Sequence, residues 1–276
     1  MLDLQLIRDQ FPALANGHIH LDNPGGTQMT QQSIDRMLHY IQHTNANHGG
    51  EFPTSRESDA MIEAAREAFV DLFNARRPEE IVFGANMTSL TLHFSRSLAR
   101  LLQPGDEIVL TRLDHDANVA PWLAIAEERG CTIRWVDVNP ADCTLDLATL
   151  EREISPRTRI VAVGYASNAV GTINDVRRVV DIAHRVGALT YIDAVQYAAH
   201  GTIDVQALDC DFLVCSAYKF FGPHAGILYG KQALLESLYA YRVRPSSPVP
   251  PEKWETGTQN FEGIAACLGA VDYMAW

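Results

Sequence analysis

The sequence has few cysteines, few basic residues and no long apolar run. Its 276 residues include five cysteines with no C-x-x-C pair, which indicates neither a disulfide framework nor a zinc ribbon. Lysine and arginine number 22 against 34 acidic residues, and the net charge of −12 argues against nucleic acid and anionic lipid as partners. No apolar run approaches the ~18 residues of a membrane helix, and residues 1–10 lack the apolar core of a signal peptide. We therefore expect a cytoplasmic protein from a reducing compartment.

Several familiar motifs are also missing or incomplete. No G-x-G-x-x-G run follows a predicted strand, which argues against a dinucleotide-dependent oxidoreductase. Residues 216–219 fit the S-x-x-K motif of serine acylases, but its S-D-N and K-T-G partners do not occur. His39 and His43 are spaced i,i+4 with His48 nearby, which leaves a histidine metal site open. Because ten histidines make chance pairs common, we expect no metal there.

What the sequence does contain is an alternation of short apolar runs with segments of helical period. Strands are predicted at 81–83, 107–111, 132–137, 159–166, 189–195, 212–216 and 226–229, and helices at 88–102, 117–129, 145–154, 175–186, 231–241 and 261–276. Residues 242–255 carry four prolines and are predicted to be an irregular connection. The alternation predicts a three-layer α/β fold, with a mostly parallel sheet covered by helices on both faces. We divide the chain into an N-terminal segment, 1–16, and one large domain, 17–276.

Ligands of such folds bind at the carboxyl ends of the strands, and two polar side chains stand out there. Asp193 lies near the end of an apolar strand, where either a bound cation or a local cap or ion pair would explain it. Lys219 follows the strand 212–216 and is flanked by Tyr218 and Phe220. Burial would lower its pKa and make it a nucleophile, and the alternative is a lysine lying over an aromatic patch.

Two further features lie between a strand and a helix. Residues 84–89 are small enough for backbone N–H groups to face an anion at a helix N-terminus, unless Thr88 or Ser89 is simply an N-cap. The run 114–116 (DHD) follows the strand 107–111 and could also be a solvated turn. Together the four features fit an aldehyde cofactor that carries a phosphate and a pyridine nitrogen. Lys219 would supply the amine that bonds the aldehyde, and Asp193 the acid for the ring nitrogen. Thr88 and Ser216 would be the phosphate donors, and His115 would lie against the flat ring.

Six segments then carry a resemblance to a known family. They are residues 21–23 (LDN), 105–122 (GDEIVLTRLDHDANVAPW), 167–171 (SNAVG), 193–197 (DAVQY), 205–229 (VQALDCDFLVCSAYKFFGPHAGILY) and 255–260 (ETGTQN). From about His20 to its end, the chain resembles pyridoxal-phosphate (PLP) enzymes of fold type I in the class V aminotransferase family. Within that family it is most similar to the cysteine desulfurase and selenocysteine lyase branch.

The resemblance implies roles for individual positions. Lys219 matches the lysine that forms the internal Schiff base, Asp193 the acid that pairs with the ring nitrogen, and His115 the histidine stacked on the ring. The other matches are Asn168 and Gln196 near the ring hydroxyl, Thr88, Ser216 and the Met87 backbone N–H at the phosphate, and Thr258 at the phosphate of the other subunit of a homodimer. Catalytic roles are thus implied for Lys219, Asp193 and His115.

The implied function is a PLP-dependent enzyme that cleaves the C–S or C–Se bond of a small amino-acid substrate, with a sulfur-acceptor protein as a further partner. A class V aminotransferase, lyase or epimerase, or a non-catalytic PLP-domain fragment, remains open. The sequence departs from desulfurases at Tyr218, where they have a histidine. Family members also continue beyond the position of Trp276 into a small C-terminal domain with the substrate-carboxylate arginine and a sulfur-accepting cysteine. We expect that domain to be absent from this chain.

Overall fold

A seven-stranded sheet runs through the middle of the molecule. The computed structural model describes residues 3–276, so residues 1 and 2 of the predicted N-terminal segment lie outside the described part. The strands are β1 (Ile81–Gly84), β2 (Glu107–Thr111), β3 (Thr132–Val136), β4 (Thr158–Gly164), β5 (Leu189–Asp193), β6 (Phe212–Ser216) and β7 (Gly226–Gly230). The α-helices are α1 (Leu4–Arg8), α2 (Gln31–His39), α3 (Pro53–Phe73), α4 (Met87–Leu98), α5 (Ala120–Arg129), α6 (Leu147–Glu153), α7 (Val176–His184), α8 (Val205–Leu208), α9 (Gln232–Ser237) and α10 (Phe261–Ala275).

The sheet is mostly parallel, as predicted. Its spatial order is β1-β7-β6-β5-β4-β2-β3. Only β7 runs against its neighbours, and it is antiparallel to both β1 and β6. The pairs β2–β3, β2–β4, β4–β5 and β5–β6 are parallel. The carboxyl ends of β2, β4, β5 and β6 therefore meet at one edge of the sheet, where an open α/β sheet binds ligands.

Successive residues of the central strands face two separate apolar cores, which produces the three layers. One core takes Val109, Val161, Ile192 and Leu213 from the sheet and packs them against α3, α7 and α10. The other takes Ile108, Ile160, Tyr191 and Phe212 and packs them against α4 and α5. Since both faces are buried, the strands appear in the sequence as continuous apolar runs.

Several predicted helices have different boundaries in the structure, and two of these differences have an identifiable reason. α4 begins at Met87 because Asn86 is its N-cap, with the Asn86 side chain accepting the Ser89 N–H at 2.9 Å. The alternative that Thr88 or Ser89 is the cap was therefore wrong. The helix predicted over 231–241 is only Gln232–Ser237. Its last carbonyls are bonded instead by two side chains of the proline-rich connection, Lys253 and Trp254.

Two helices, α2 and α3, lie in a part of the sequence for which we made no prediction. Both pack against α10. α3 begins with a proline at its first turn, a position at which the missing proline N–H costs nothing. Among residues 3–276, no helix is both long enough and apolar enough to cross a membrane.

Candidate active site

A cavity of about 740 Å³ opens at the carboxyl-end edge of the sheet. Its wall includes eight of the nine residues that the sequence analysis proposed for cofactor binding: Met87, Thr88, His115, Asn168, Asp193, Gln196, Ser216 and Lys219. The ninth, Thr258, is exposed and is not part of this wall in its own chain. The tertiary fold therefore brings together residues that are spread over more than 130 positions of sequence.

Asp193 is the last residue of β5 and is 7% exposed. One of its oxygens accepts the Val195 N–H at 2.9 Å. Among residues 3–276, no lysine, arginine or histidine nitrogen lies within 4.0 Å of this carboxylate, so the alternative of a local ion pair fails. Burial raises its pKa to about 6, although the Val195 bond and the charges of His115 and Lys219 act in the opposite direction. A buried, unpaired carboxylate at a cavity wall is suited to a cationic ligand.

Lys219 lies on the single 3₁₀ turn that follows β6. Its Nζ donates a hydrogen bond to the Pro24 carbonyl and lies 4.8 Å from the ring centre of Tyr218. Burial lowers the pKa of the ammonium, while the carboxylates of Asp22 and Asp193 partly oppose that shift. Lys219 thus lies near the aromatic ring of Tyr218, as the alternative reading of the sequence suggested. Its amine also lines the cavity.

The N-terminus of α4 is fixed beside the end of β6. The Met87 N–H donates to Ser216 Oγ at 2.9 Å, and both residues are buried. Gly226 of β7 makes this approach possible, since a Cβ there would lie 2.5 Å from the backbone carbon of Asn86. The Met87 N–H that the sequence analysis assigned to a phosphate is thus bonded to Ser216, whose own hydroxyl proton can be donated into the cavity. Thr88 is exposed beside it.

His115 and Gln196 are held by bonds that fix their orientation. The Nδ1 of His115 accepts the Ala117 N–H at 3.1 Å, so a neutral His115 ring carries its proton on Nε2. The Nε2 of Gln196 donates to the Pro24 carbonyl at 3.0 Å, the same oxygen that Lys219 contacts. Asn168 is exposed on the turn that follows β4.

Sequence reasoning assigned no role to several residues of the wall. The loop that contains Asp22 and Pro24 reaches the cavity from far away in sequence. Its signals were the turn-forming P-G-G run and the family-like segment 21–23, neither of which assigned it a role. His224 lies in the same wall and stacks on Tyr218 with ring centres 4.9 Å apart. Burial, followed by the charge of Asp193, raises the pKa of the Tyr218 hydroxyl, which keeps it a proton donor at neutral pH.

Among these additional residues, Asp114 is the acid whose pKa is shifted most. It is half-buried in the cavity wall, so the alternative of a solvated turn does not describe it. Its carboxyl accepts the Asn118 side-chain amide at 2.8 Å and also bonds the Thr111 hydroxyl. Burial raises its pKa to about 7, against the two hydrogen bonds and with a smaller contribution from the Asp193 charge.

The histidine cluster left open by the sequence is not assembled as a metal site. The rings of His39 and His43 stack with centres 4.6 Å apart, and His43 contacts the carbonyl of its partner. His48 lies apart from them, with its Nδ1 3.8 Å from Oδ1 of Asp59. Across residues 3–276, no three histidine, cysteine or acidic side chains are grouped so that they could hold a metal ion.

Comparisons with known proteins agree with this architecture. The family model "Aminotransferase class-V" matches residues 19–276. A cysteine desulfurase of Serratia proteamaculans is 37% identical over 98% of this chain and 71% of its own length. The aminotransferase-like protein FGM3 of Gibberella zeae is 38% identical over 83% of this chain and 58% of its own length. The crystal structure of the cysteine desulfurase CsdA of Escherichia coli superposes with a TM-score of 0.90 at 31% identity, and the match covers all of this chain and 72% of that one.

The fold and the cavity thus define an α/β protein whose candidate active site lies at the carboxyl ends of its parallel strands. The chain belongs to the class V aminotransferase family. This confirms the resemblance and the fold class that the sequence predicted.

Proposed function

We propose that this chain is a PLP-dependent enzyme of the cysteine desulfurase type, which releases sulfur from L-cysteine and leaves L-alanine. One observation carries the proposal: Lys219, the buried Asp193 and the Ser216–α4 corner line a single cavity in a member of a PLP-dependent family. The desulfurases named above, which share 31–37% of their residues with this chain, support the choice of reaction.

The residues present fit PLP. Asp193 is a buried carboxylate without a cation partner in the described chain, as a protonated ring nitrogen would require. Lys219 supplies an amine whose pKa is lowered by burial, which suits bonding to an aldehyde. Ser216 and Thr88 lie at the N-terminus of a twelve-residue helix, where the helix dipole and hydroxyl donors favour a phosphate. In this proposal His115 covers the ring face, and Asn168 and Gln196 lie near the ring hydroxyl.

When bound, PLP supplies an electron-withdrawing ring that stabilises negative charge on the α-carbon of an amino acid. The protein residues tune and direct that chemistry. The Asp193 carboxylate would hold the ring nitrogen in its protonated state. Lys219 would be the base for the α-proton of the amino acid, because burial lowers the pKa of its ammonium and so favours the neutral amine. The Pro24 carbonyl accepts a hydrogen bond from Nζ and orients this amine.

The described cavity wall lacks two other groups that desulfuration uses. No arginine lines it for the substrate carboxylate, and no cysteine lines it as a sulfur acceptor. Cys210, Cys215 and Cys267 are fully buried, and burial raises the pKa of each thiol, so none is a reactive thiolate. We therefore propose that the sulfur passes to a thiol that does not line the described cavity, and that a sulfur-acceptor protein is a further partner.

We further propose that two copies of the chain form a homodimer in which each lends Thr258 to the other's phosphate site. Thr258 is exposed and does not line the cavity of its own chain. Its hydroxyl would add one more neutral donor for a dianionic phosphate in a chain of net charge −12. A cytoplasmic location is consistent with five unpaired cysteines and is part of the proposal.

The test combines cofactor attachment with product analysis. The protein is loaded with PLP and reduced with borohydride, and the modified peptide is identified by mass spectrometry; we expect the label on Lys219. The loaded protein is then incubated with L-cysteine and dithiothreitol, and sulfide and alanine are measured together. We expect them in equal amounts, and we expect Lys219→Ala to form neither.

A matched control uses a lysine outside the cavity. Lys231 is bonded to Asp209 and Asp211, and Lys231→Ala should leave labelling and turnover in place. A label on Lys231 or Lys253 would overturn the assignment of Lys219.

An aminotransferase is the second candidate, favoured by the 38% identity to the aminotransferase-like protein of Gibberella zeae. The same incubation separates the two, because transamination would yield a keto acid and convert PLP into its amine form without releasing sulfide. Keto acid without sulfide would therefore replace the desulfurase proposal by this one.

A further inference from the structure

Two carboxyl groups, those of Asp114 and Asp193, line the same cavity. Gly164 ends β4, and its partner across the parallel pair to β5 is Asp193. A Cβ on Gly164 would lie 3.1 Å from Oδ1 of Asp114. The Asp114 carboxyl thus fills the space that a side chain at position 164 would need, next to the residue that pairs with Asp193. The absence of a side chain at Gly164 is what lets the two acids approach each other.

Asp114 is held in this place by neutral groups. Asn118 Nδ2 donates to its Oδ1 at 2.8 Å, and the Thr111 hydroxyl bonds its Oδ2. The orientation of the Asn118 amide is fixed by Trp122, whose buried ring N–H donates to the amide oxygen at 3.2 Å. The network therefore fixes the position of the carboxyl without supplying a positive charge. An acid held in this way cannot swing out to solvent when it ionises.

The charged groups near the two carboxyls decide how they ionise. From the turn after β2 comes His115, and from the turn after β6 comes Lys219; both act on Asp193. Asp22 and Tyr218 line the cavity on the Lys219 side. The Asp193 charge acts on Asp114 and raises the pKa that burial has already raised. Two like charges in one desolvated site are costly, so one of the acids should keep its proton.

We propose that Asp114 is a positioning residue that acts through Asp193: the pair holds one proton, which resides on Asp114 and leaves Asp193 as the single carboxylate of the two. In that state the Asp114 Oδ2–H donates to the Thr111 hydroxyl oxygen, and the proton passes to solvent when the pH rises. The geometry alone supports the pairing of the two acids. That Asp193 meets a protonated ring nitrogen rests on the proposed function.

The first experiment needs no cofactor. Aspartate carboxyl carbons are labelled with ¹³C and titrated by NMR in the cofactor-free wild type, in Asp114→Asn and in Asp193→Asn. We expect two carboxyls to titrate above pH 5, with the upper step lost in Asp114→Asn. In Asp193→Asn the Asp114 midpoint should fall, because its charged neighbour is gone. Asp116→Asn, an exposed acid two positions along the same turn, is the control and should change neither step.

An Asp114 midpoint near that of an exposed aspartate overturns the proposal, and so does an Asp114 midpoint that is the same in Asp193→Asn as in the wild type. If Asp114→Asn does not fold, the Asp193→Asn arm still decides, since it reads Asp114 directly.

The second experiment measures the dissociation constant of PLP between pH 6 and 9. Asparagine imitates the protonated aspartic acid, so Asp114→Asn and wild type should differ least at pH 6. We expect wild type to bind several-fold more tightly towards pH 9, where Asp114 gains a charge beside Asp193. A ratio of the two constants that does not change with pH would indicate a merely structural role. If the wild type binds no PLP, the proposed function fails, while the carboxyl titration still decides the pairing of the two acids.

Discussion

A buried ion pair joins Arg66 of α3 to Glu255, three positions before Thr258. The two side chains are only 4% and 7% exposed. Both guanidinium NH groups donate to the carboxylate at 2.8 Å. The pair is also bonded to the start of the sheet, since Glu255 accepts the Phe83 N–H and Arg66 donates to the Ile81 carbonyl, each at 2.8 Å. Burial opposes the charge on Arg66, but Glu255 prevails and raises the pKa of the guanidinium.

Glu255→Gln keeps the shape of the side chain and removes the charge that offsets Arg66. Breaking a buried pair on one side typically costs about 3–5 kcal/mol, because an uncompensated ion is left in the interior. That is a large fraction of the ~5–15 kcal/mol by which a domain is stable. We therefore expect Glu255→Gln to lower the free energy of unfolding by about 3–5 kcal/mol.

The assay is urea unfolding followed by tryptophan fluorescence, with the wild type and five variants compared at one pH. The variants are Glu255→Gln, Arg66→Met, Glu255→Leu, the double variant of the last two, and the control Arg36→Met. Arg36→Met is the control, because its partner Asp272 forms an exposed pair with side chains 51% and 40% exposed. Such a surface pair is worth at most about 1 kcal/mol. The double variant Arg66→Met with Glu255→Leu removes both charges, so it should cost less than the sum of the two single changes.

A cost for Glu255→Gln no greater than that for Arg36→Met would refute the reasoning. So would strict additivity in the double variant, because two buried and contacting charges must couple. Glu255→Gln should in addition weaken PLP retention, since Thr258 follows only three positions later.

Three further predictions concern the cavity. In the cofactor-free protein, Asp193→Asn should raise the free energy of unfolding by about 3 kcal/mol at pH 8 but not at pH 4. The pKa of Asp193 is raised from 3.8 to about 6 in the folded state, so the wild type loses stability as the pH rises between those values. Thermal melts at both pH values measure the difference. Ser216→Ala should leave the Met87 N–H without its acceptor and weaken PLP binding by about tenfold, measured by equilibrium titration. A mixture of Lys219→Ala and Thr258→Ala chains should regain activity that neither has alone, because one of the two sites in the mixed dimer is intact.

Each of these has an outcome that contradicts it. Equal effects of Asp193→Asn at pH 4 and pH 8 would show that burial of the charged carboxylate is not costly. Unchanged PLP affinity in Ser216→Ala would remove the hydroxyl from the phosphate site. A monomer by sedimentation that holds PLP tightly would end the proposal that Thr258 acts across a dimer.

The layers of the fold and the sheet edge that carries the candidate active site could be predicted from the sequence, because their signals are local. Strands buried on both faces are continuous apolar runs, and the helices between them have a 3.6-residue period, so β6 was predicted with its observed bounds, Phe212–Ser216. Lys219 and Asp193 stood out for the same reason, as polar side chains at or shortly after the end of such runs. The sequence also pointed to the cofactor through the combination of these residues with Thr88 and His115.

What only the tertiary structure decided depends on contacts between residues that are distant along the chain. The burial of Asp114 results from its place beside Gly164, because β4 lies between β2 and β5 in the sheet. Arg66 and Glu255 are 189 positions apart, and nothing near either residue in the sequence shows that each neutralises the other. Local sequence records the periodicity of a backbone segment, whereas the pKa of an acid and the stability of an ion pair depend on desolvation and on charges that other segments bring. Those were fixed only when the sheet and its helices assembled.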